Sequence, residues 1–328
     1  MAPLSNRAAR VLGMLRTMHV IREFDEAAGR EWTKGNVRGS VHQYVGEEAI
    51  AVGVCANLRR DDYISSNHRG HGHSIAKGAD PKAMMAELFG RSTGTCGGKG
   101  GSMHIADFSI GMLGANGVVA DGATTAIGAA QAIKVLKQDR VAVAFFGDGA
   151  CNRGPLMEGF NWAKIYNLPM LFVCEDNGYA ATTKTSDFTA GTGFVGRMKA
   201  CAIEGETIDG NDLLAVDATA DKIVARIRNG GGPGYIHAVT YRHHTHNMKD
   251  TGSYRTAEEV ERWKQKDRDP IARIEAWLAK EGVAATELKK AQADAAALIA
   301  EAVAAAETAP WPAPHEALKD VQDVGAPV

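Results

Sequence analysis

The sequence holds 328 residues, 45% of them hydrophobic, and carries a formal net charge of -2. That length suits one large α/β domain or two smaller ones, with apolar residues enough for a sizeable core. The near-neutral charge argues against nucleic acid or a membrane surface as the main partner, and no apolar run is long enough to span a bilayer.

The first 22 residues contain Arg7, Arg10, Arg16 and Arg22 and no acid, a composition shared with mitochondrial transit peptides. Leu12, Leu15, Val20 and Ile21 nevertheless carry an apolar pattern into Phe24, so residues 5–29 are predicted as one amphipathic helix. Ser5 or Asn6 should cap it and Gly29 should stop it. A helix over 47–58 and a short strand over 62–65 follow, then a polar loop over 66–73 and a helix from Asp80-Pro81 to about Phe89. The glycine cluster around Lys99 invites a P-loop reading, but Thr93 and Gly100 stand where that motif needs Gly and Ser or Thr. A helix over 121–137 leads to six apolar residues, Val141 to Phe146, which read as a strand buried on both faces.

That strand runs into Gly147-Asp148-Gly149. A helix over 155–166 and a second apolar run over 168–174 complete a strand–helix–strand unit, which ends in Glu175-Asp176-Asn177. Right-handed crossovers make two such strands parallel, and ligands of open α/β sheets bind at their carboxyl ends. Asp148 and Asn177 should both sit there. A carboxylate, an amide oxygen and nearby carbonyls suit magnesium, and the N–H groups of Gly149 and Ala150 suit a phosphate. Residues 180–190 read as an active-site loop. A strand over 203–208, a helix over 211–227 and a strand over 235–241 form a further unit, delivering Arg242-His-His-Thr-His246 to the same end. The remainder reads as helical over 257–265, 270–281 and 286–308, with an extended proline-containing tail. Five cysteines without paired spacing predict free thiols, with Cys55 and Cys174 buried, and a reducing, cytoplasmic setting.

Two histidine groups need explaining: His68, His71 and His73, and His243, His244 and His246. Zinc is one reading, but Arg69 and Arg242 lie among them, and cations beside histidines suit an anionic ligand better. His73, His237 and His243 are expected to be structural. For His42 the sequence leaves both a core role and a ligand-facing role open.

Gly147-Asp-Gly149, with Asn177 29 positions after the Asp, resembles the thiamine diphosphate fingerprint. The stretches 40–49, 67–72, 97–104, 114–119 and 241–246 extend the likeness in the same order. Over roughly residues 12–271 the chain resembles the α subunit of a thiamine diphosphate-dependent dehydrogenase E1 component. The resemblance implies that Asp148, Asn177 and the Tyr179 carbonyl hold Mg2+ on the diphosphate. It implies that His68 and Arg69 contact the cofactor, and that the backbone at Gly117 and Val119 holds the aminopyrimidine ring. It places His246 at the diphosphate and reaction centre and His42 at the substrate and acyl-transfer step.

The implied fold is an α/β open, mostly parallel sheet with helices on both faces. The N-terminal helical arm would span 1–30, the thiamine diphosphate-binding domain 31–255, and the C-terminal helical extension and tail 256–328. The implied assembly is an α2β2 heterotetramer serving a lipoyl-bearing E2 acyltransferase. Stretches 67–81 and 103–117 are most like acetoin dehydrogenase α chains, with pyruvate or a branched-chain 2-oxoacid as the alternative. The sequence departs from the family pattern at residues 121–125, at Cys151, at Thr245 and at Asn247, where mitochondrial relatives carry a phosphorylated serine. A stand-alone thiamine enzyme would need a longer chain, and a nucleotide-binding module would need Gly-x-Gly-x-x-Gly after its first strand.

Overall fold

The computed structural model describes residues 4–319. Among them the strands are β1 (Tyr63–Asn67), β2 (Met112–Asn116), β3 (Ala142–Gly147), β4 (Met170–Asp176), β5 (Tyr179–Ala180), β6 (Thr183–Lys184), β7 (Glu204–Asp209) and β8 (Gly234–Val239). Six of them form one sheet in the order β2-β1-β3-β4-β8-β7, and every pairing in it is parallel. β5 and β6 form a separate antiparallel hairpin.

The period-two alternation of strand side chains splits the apolar residues between two faces. Val143, Phe145, Leu171, Val173 and Ile236 join the apolar cluster on one face. Ala142, Ala144, Phe146, Phe172 and Cys174 join the other. The first face is covered by helices Asn6–Thr33, Glu48–Cys55 and Leu213–Arg226, and the second by Asp121–Val135 and Gly154–Ile165. The central strands β3 and β4 are therefore buried on both sides, as their unbroken apolar runs predict. No helix of the described residues is long and apolar enough to cross a membrane.

Several local expectations change. The first helix does not stop at Gly29 but runs to Thr33, with Ser5 as its cap. Gly29 instead serves a close approach, since a Cβ there would lie 2.9 Å from Gln43 Nε2. The predicted loop over 66–73 contains the start of helix Gly70–Lys77, held by buried polar contacts of His71 and His73. Edge strand β2 and helix Gly193–Ala200 were not expected.

The first helix and the C-terminal helices Pro270–Lys280 and Ala285–Thr308 pack on one another and share the first apolar cluster. Arg22 binds both Glu48 and Asp269, joining the two ends of the chain. The apolar faces of these helices turn inward: Ala291, Ala295, Ile299, Ala302 and Ala306 are buried. The last residues of the C-terminal segment lie outside the described ones.

The glycine cluster wraps an anion of its own. Helix Pro81–Leu88 presents the fully buried Glu87, whose carboxylate accepts N–H groups from Cys96 (2.8 Å), Gly98 (2.8 Å), Gly100 (2.7 Å) and Gly101 (3.0 Å). Glu87→Ala would leave these donors without their acceptor. It is expected to lower folding stability by about 2–3 kcal/mol, measured by urea unfolding. An unchanged midpoint would show that the loop holds its shape without the carboxylate.

Candidate active site

The loops after β1, β3, β4 and β8 surround a cavity of about 390 Å³ at the carboxyl ends of the strands. Every site residue expected from the sequence lines it: His42, His68, Arg69, Gly117, Val119, Asp148, Gly149, Ala150, Asn177, Tyr179 and His246.

One end is a set of oxygen donors. β3 ends at Gly147, and Asp148 opens a short 3-10 turn, Asp148–Asn152. A Cβ on Gly149 would come within 2.8 Å of the Ala180 Cβ, so the close approach of this turn to the hairpin needs glycine. Asp148 is buried and accepts a hydrogen bond from the Thr185 hydroxyl. Burial pushes its carboxyl up to about 6. Asn177, beyond the end of β4, accepts the Tyr179 N–H through Oδ1 at 3.2 Å and donates through Nδ2 to Glu47 Oε1 at 3.2 Å. The Tyr179 carbonyl faces the Arg242 guanidinium at 3.4 Å. A carboxylate, an amide oxygen and a carbonyl are hard donors of the kind magnesium takes. A buried carboxylate with a raised pKa is one that a cation would stabilise.

The other end is imidazole. His42, His68 and His246 come from three distant stretches, yet their rings lie 4.6 Å (42–68), 4.8 Å (42–246) and 5.3 Å (68–246) apart between centroids. Burial, then the nearby charge of Arg69, pushes His42 down to about 3 and His246 down to about 4; the same causes push His68 down. The three rings are therefore neutral at physiological pH and can each offer a lone pair. The Nδ1 atom of His42 is buried without a hydrogen-bond partner. Arg69, just after β1, donates from Nη1 to the Gln43 carbonyl at 2.9 Å and from Nη2 to the His246 carbonyl at 3.1 Å. A buried guanidinium touching this cluster favours an anionic ligand over a second metal ion.

Gly117 and Val119 form the rim, on the loop after β2. Asn116 Oδ1 accepts the Val118 N–H at 2.8 Å, which shapes that loop. Val118 and Val119 are 61% and 45% exposed.

The histidines expected to be structural have their own partners. His73 is fully buried between Ser66 Oγ at 2.8 Å and Glu175 Oε1 at 2.8 Å, and His237 meets Asp176 at 2.9 Å. His243 is buried beside Asp269 at 3.8 Å. His71 and His244 likewise point away from the cavity, to Asp25 and Glu26.

Two acidic residues of the cavity, Glu47 and Glu175, are not among the expected site residues. Glu47 is buried, with one oxygen unpartnered, and burial pushes its carboxyl up to about 8. Glu175 is a buried acceptor for both Tyr44 and His73. An acid at the end of an otherwise apolar strand was a visible signal for Glu175. Glu47 offered only its place before a helix.

Known proteins resemble this chain over most of its length. The model of the dehydrogenase E1 component family matches residues 16–315. The chain is 45% identical to the α subunit of the Bacillus subtilis acetoin:2,6-dichlorophenolindophenol oxidoreductase, covering 97% of this chain and 95% of that one. It is 43% identical to the Cupriavidus necator protein of the same description, covering 95% and 93%. It is 36% identical to the pyruvate dehydrogenase E1 component α subunit of Rhizobium meliloti, covering 93% and 88%. With the family model spanning most of its length and these α subunits aligned nearly end to end, the chain belongs to the thiamine diphosphate-dependent dehydrogenase E1 components, as an α subunit.

Proposed function

We propose that the chain, with Mg2+ and a β subunit, cleaves the carbon–carbon bond beside the carbonyl of acetoin. The carrying observation is one cavity with hard oxygen donors at one end and three neutral imidazoles at the other. Acetoin is favoured because the two acetoin-named relatives are more similar to this chain than the pyruvate dehydrogenase α subunits compared with it. A 2-oxoacid is the second reading, which the pyruvate dehydrogenase relatives support.

When bound, thiamine diphosphate supplies the carbon nucleophile. Asp148, Asn177 and the Tyr179 carbonyl would hold Mg2+ on its diphosphate, with the N–H groups of Gly149 and Ala150 on the phosphate oxygens. His68 and Arg69 would balance the phosphate charge, and the backbone at Gly117 and Val119 would seat the aminopyrimidine. His42 and His246, both neutral, would take up or return a proton on the substrate side. The β subunit would cover the exposed rim at Val118 and Val119, giving the α2β2 form. A lipoyl-bearing E2 would receive the two-carbon group, in the cytoplasm.

The test is 2,6-dichlorophenolindophenol reduction by the α–β mixture with acetoin, pyruvate and a branched-chain 2-oxoacid in parallel. Acetoin should give the highest kcat/KM. Preference for a 2-oxoacid would move the substrate assignment to the second reading.

The loop after β8 should gain order on cofactor binding. It carries His246, whose N–H bonds Asp250 at 2.7 Å, and Asp250 bonds Tyr254 at 2.7 Å. Ligand contacts at His246 would thus be passed along the loop. Proteolysis within residues 247–255 should slow severalfold when thiamine diphosphate and Mg2+ are added. Equal cleavage rates would show that the loop is already fixed.

A further inference from the structure

Asp25 lies in the N-terminal helix, outside the cavity, yet it is fully buried and holds three parts of the site's frame. Its Oδ2 accepts the Tyr44 N–H at 2.9 Å, and its Oδ1 meets His71 Nδ1 at 2.6 Å. Its backbone carbonyl accepts Gln43 Nε2 at 2.9 Å. His71 in turn meets Ser102 Oγ through Nε2 at 3.0 Å.

Ser102, His71 and Asp25 thus stand in the order of a nucleophile relay. They do not work as one: Ser102 is buried and does not line the cavity, so no substrate carbonyl can reach it. What the relay touches is more informative. Gln43 and Tyr44 directly follow His42, and the Gln43 carbonyl accepts Arg69 Nη1 at 2.9 Å. His71 sits in the helix that follows His68 and Arg69. Ser102 precedes Met103, which lines the cavity. One buried carboxylate therefore ties the segments bearing His42, His68 with Arg69, and Met103.

We propose that Asp25, acting through His71 and Ser102, is a positioning residue that fixes His42 against His68 and His246 for the substrate step. The proposal rests on the reading that His42 faces the substrate. An ionised carboxylate is suited to this because it accepts from both Tyr44 and His71 at once. An amide of the same shape accepts on one side only, and its NH2 group would reverse the hydrogen bond to His71.

Asp25→Asn, His42→Ala and the double variant are assembled with the β subunit. Dye-reduction kinetics, thiamine diphosphate affinity by calorimetry and thermal unfolding are then measured. Asp25→Asn should lower kcat between about 10- and 100-fold, the size of effect expected from a misplacement near 1 Å. Cofactor affinity should stay within a factor of about three, below the change expected from a disturbed metal shell. In the His42→Ala background the Asp25 effect should vanish, because both changes remove the same placement. Ser102→Ala, at the far end of the relay, should show a smaller loss with the same dependence on His42, and it carries the test if Asp25→Asn does not fold. Multiplying effects, or cofactor affinity falling in step with kcat, would overturn the positioning role. Full activity in His42→Ala would instead sink the reading of His42 itself.

Discussion

Asp148→Ala is expected to weaken thiamine diphosphate binding in the presence of Mg2+ by at least about 10–100-fold, the range for disturbing a metal's supporting shell. Asp148 is the only carboxylate among the three proposed ligands, so its loss removes the formal charge that offsets the cation. The measurement is calorimetric titration at saturating Mg2+, and unchanged affinity would remove Asp148 from the metal site. The same residue predicts a pH dependence. Burial holds its carboxyl at about 6 before metal binds, so a proton competes with Mg2+ below that pH. Cofactor affinity should therefore fall by up to about tenfold per unit as pH drops from 6 to 5, one proton being displaced per metal bound. His42 and His246, at about 3 and about 4, remain neutral through that window and do not contribute. In Asp148→Asn this acid-side loss should be smaller, reduced to what protonation of the cofactor's own phosphate contributes.

The parts of the structure legible in the sequence are those whose pattern is local. Ala142 to Phe146 of β3 and Met170 to Cys174 of β4 are apolar without a break because both sheet faces are covered, and the chain shows this without any partner. Asp148 and Asn177 follow as the polar residues that end those strands. β2 could not be read in this way, since Met-Leu-Gly-Ala-Asn has a glycine at its centre and lies at the sheet edge. Helix Gly70–Lys77 carries two glycines in eight residues, a poor intrinsic helix. It is held by His71 on Asp25 and His73 on Glu175, contacts that bridge distant segments. The histidines show the same limit. Grouped by sequence they form two clusters of neighbours, but the fold takes one from each and adds His42. The glycine cluster was ambiguous because its anion, Glu87, is supplied by the preceding helix.

The purified α chain alone is expected to give no dye reduction with acetoin, thiamine diphosphate and Mg2+, whereas the α–β mixture should turn over. The reason lies in how the cavity is built. Its phosphate end is lined on several sides by strand-end loops, but the rim at Gly117 and Val119, where the pyrimidine would lie, is exposed. Among the described residues, moreover, no exposed large apolar side chain lies on helices Asn6–Thr33, Pro270–Lys280 or Ala285–Thr308. The exposed ones include Val118 and Val119 at the cavity rim, and Val135, Leu136, Trp162, Ile165 and Tyr166 on or just after the helices of the second sheet face. Obligate interfaces are large and apolar, so these are the surfaces a β chain should bury. Within the active mixture, His246→Ala should lower kcat more than it lowers cofactor affinity. Arg69 bonds the backbone carbonyl of residue 246, a contact that survives removal of the ring, so the binding frame is kept while the imidazole is lost. Comparable losses in kcat and affinity would reassign His246 to cofactor binding. Full activity from α alone would show that a complete thiamine site already resides in this chain.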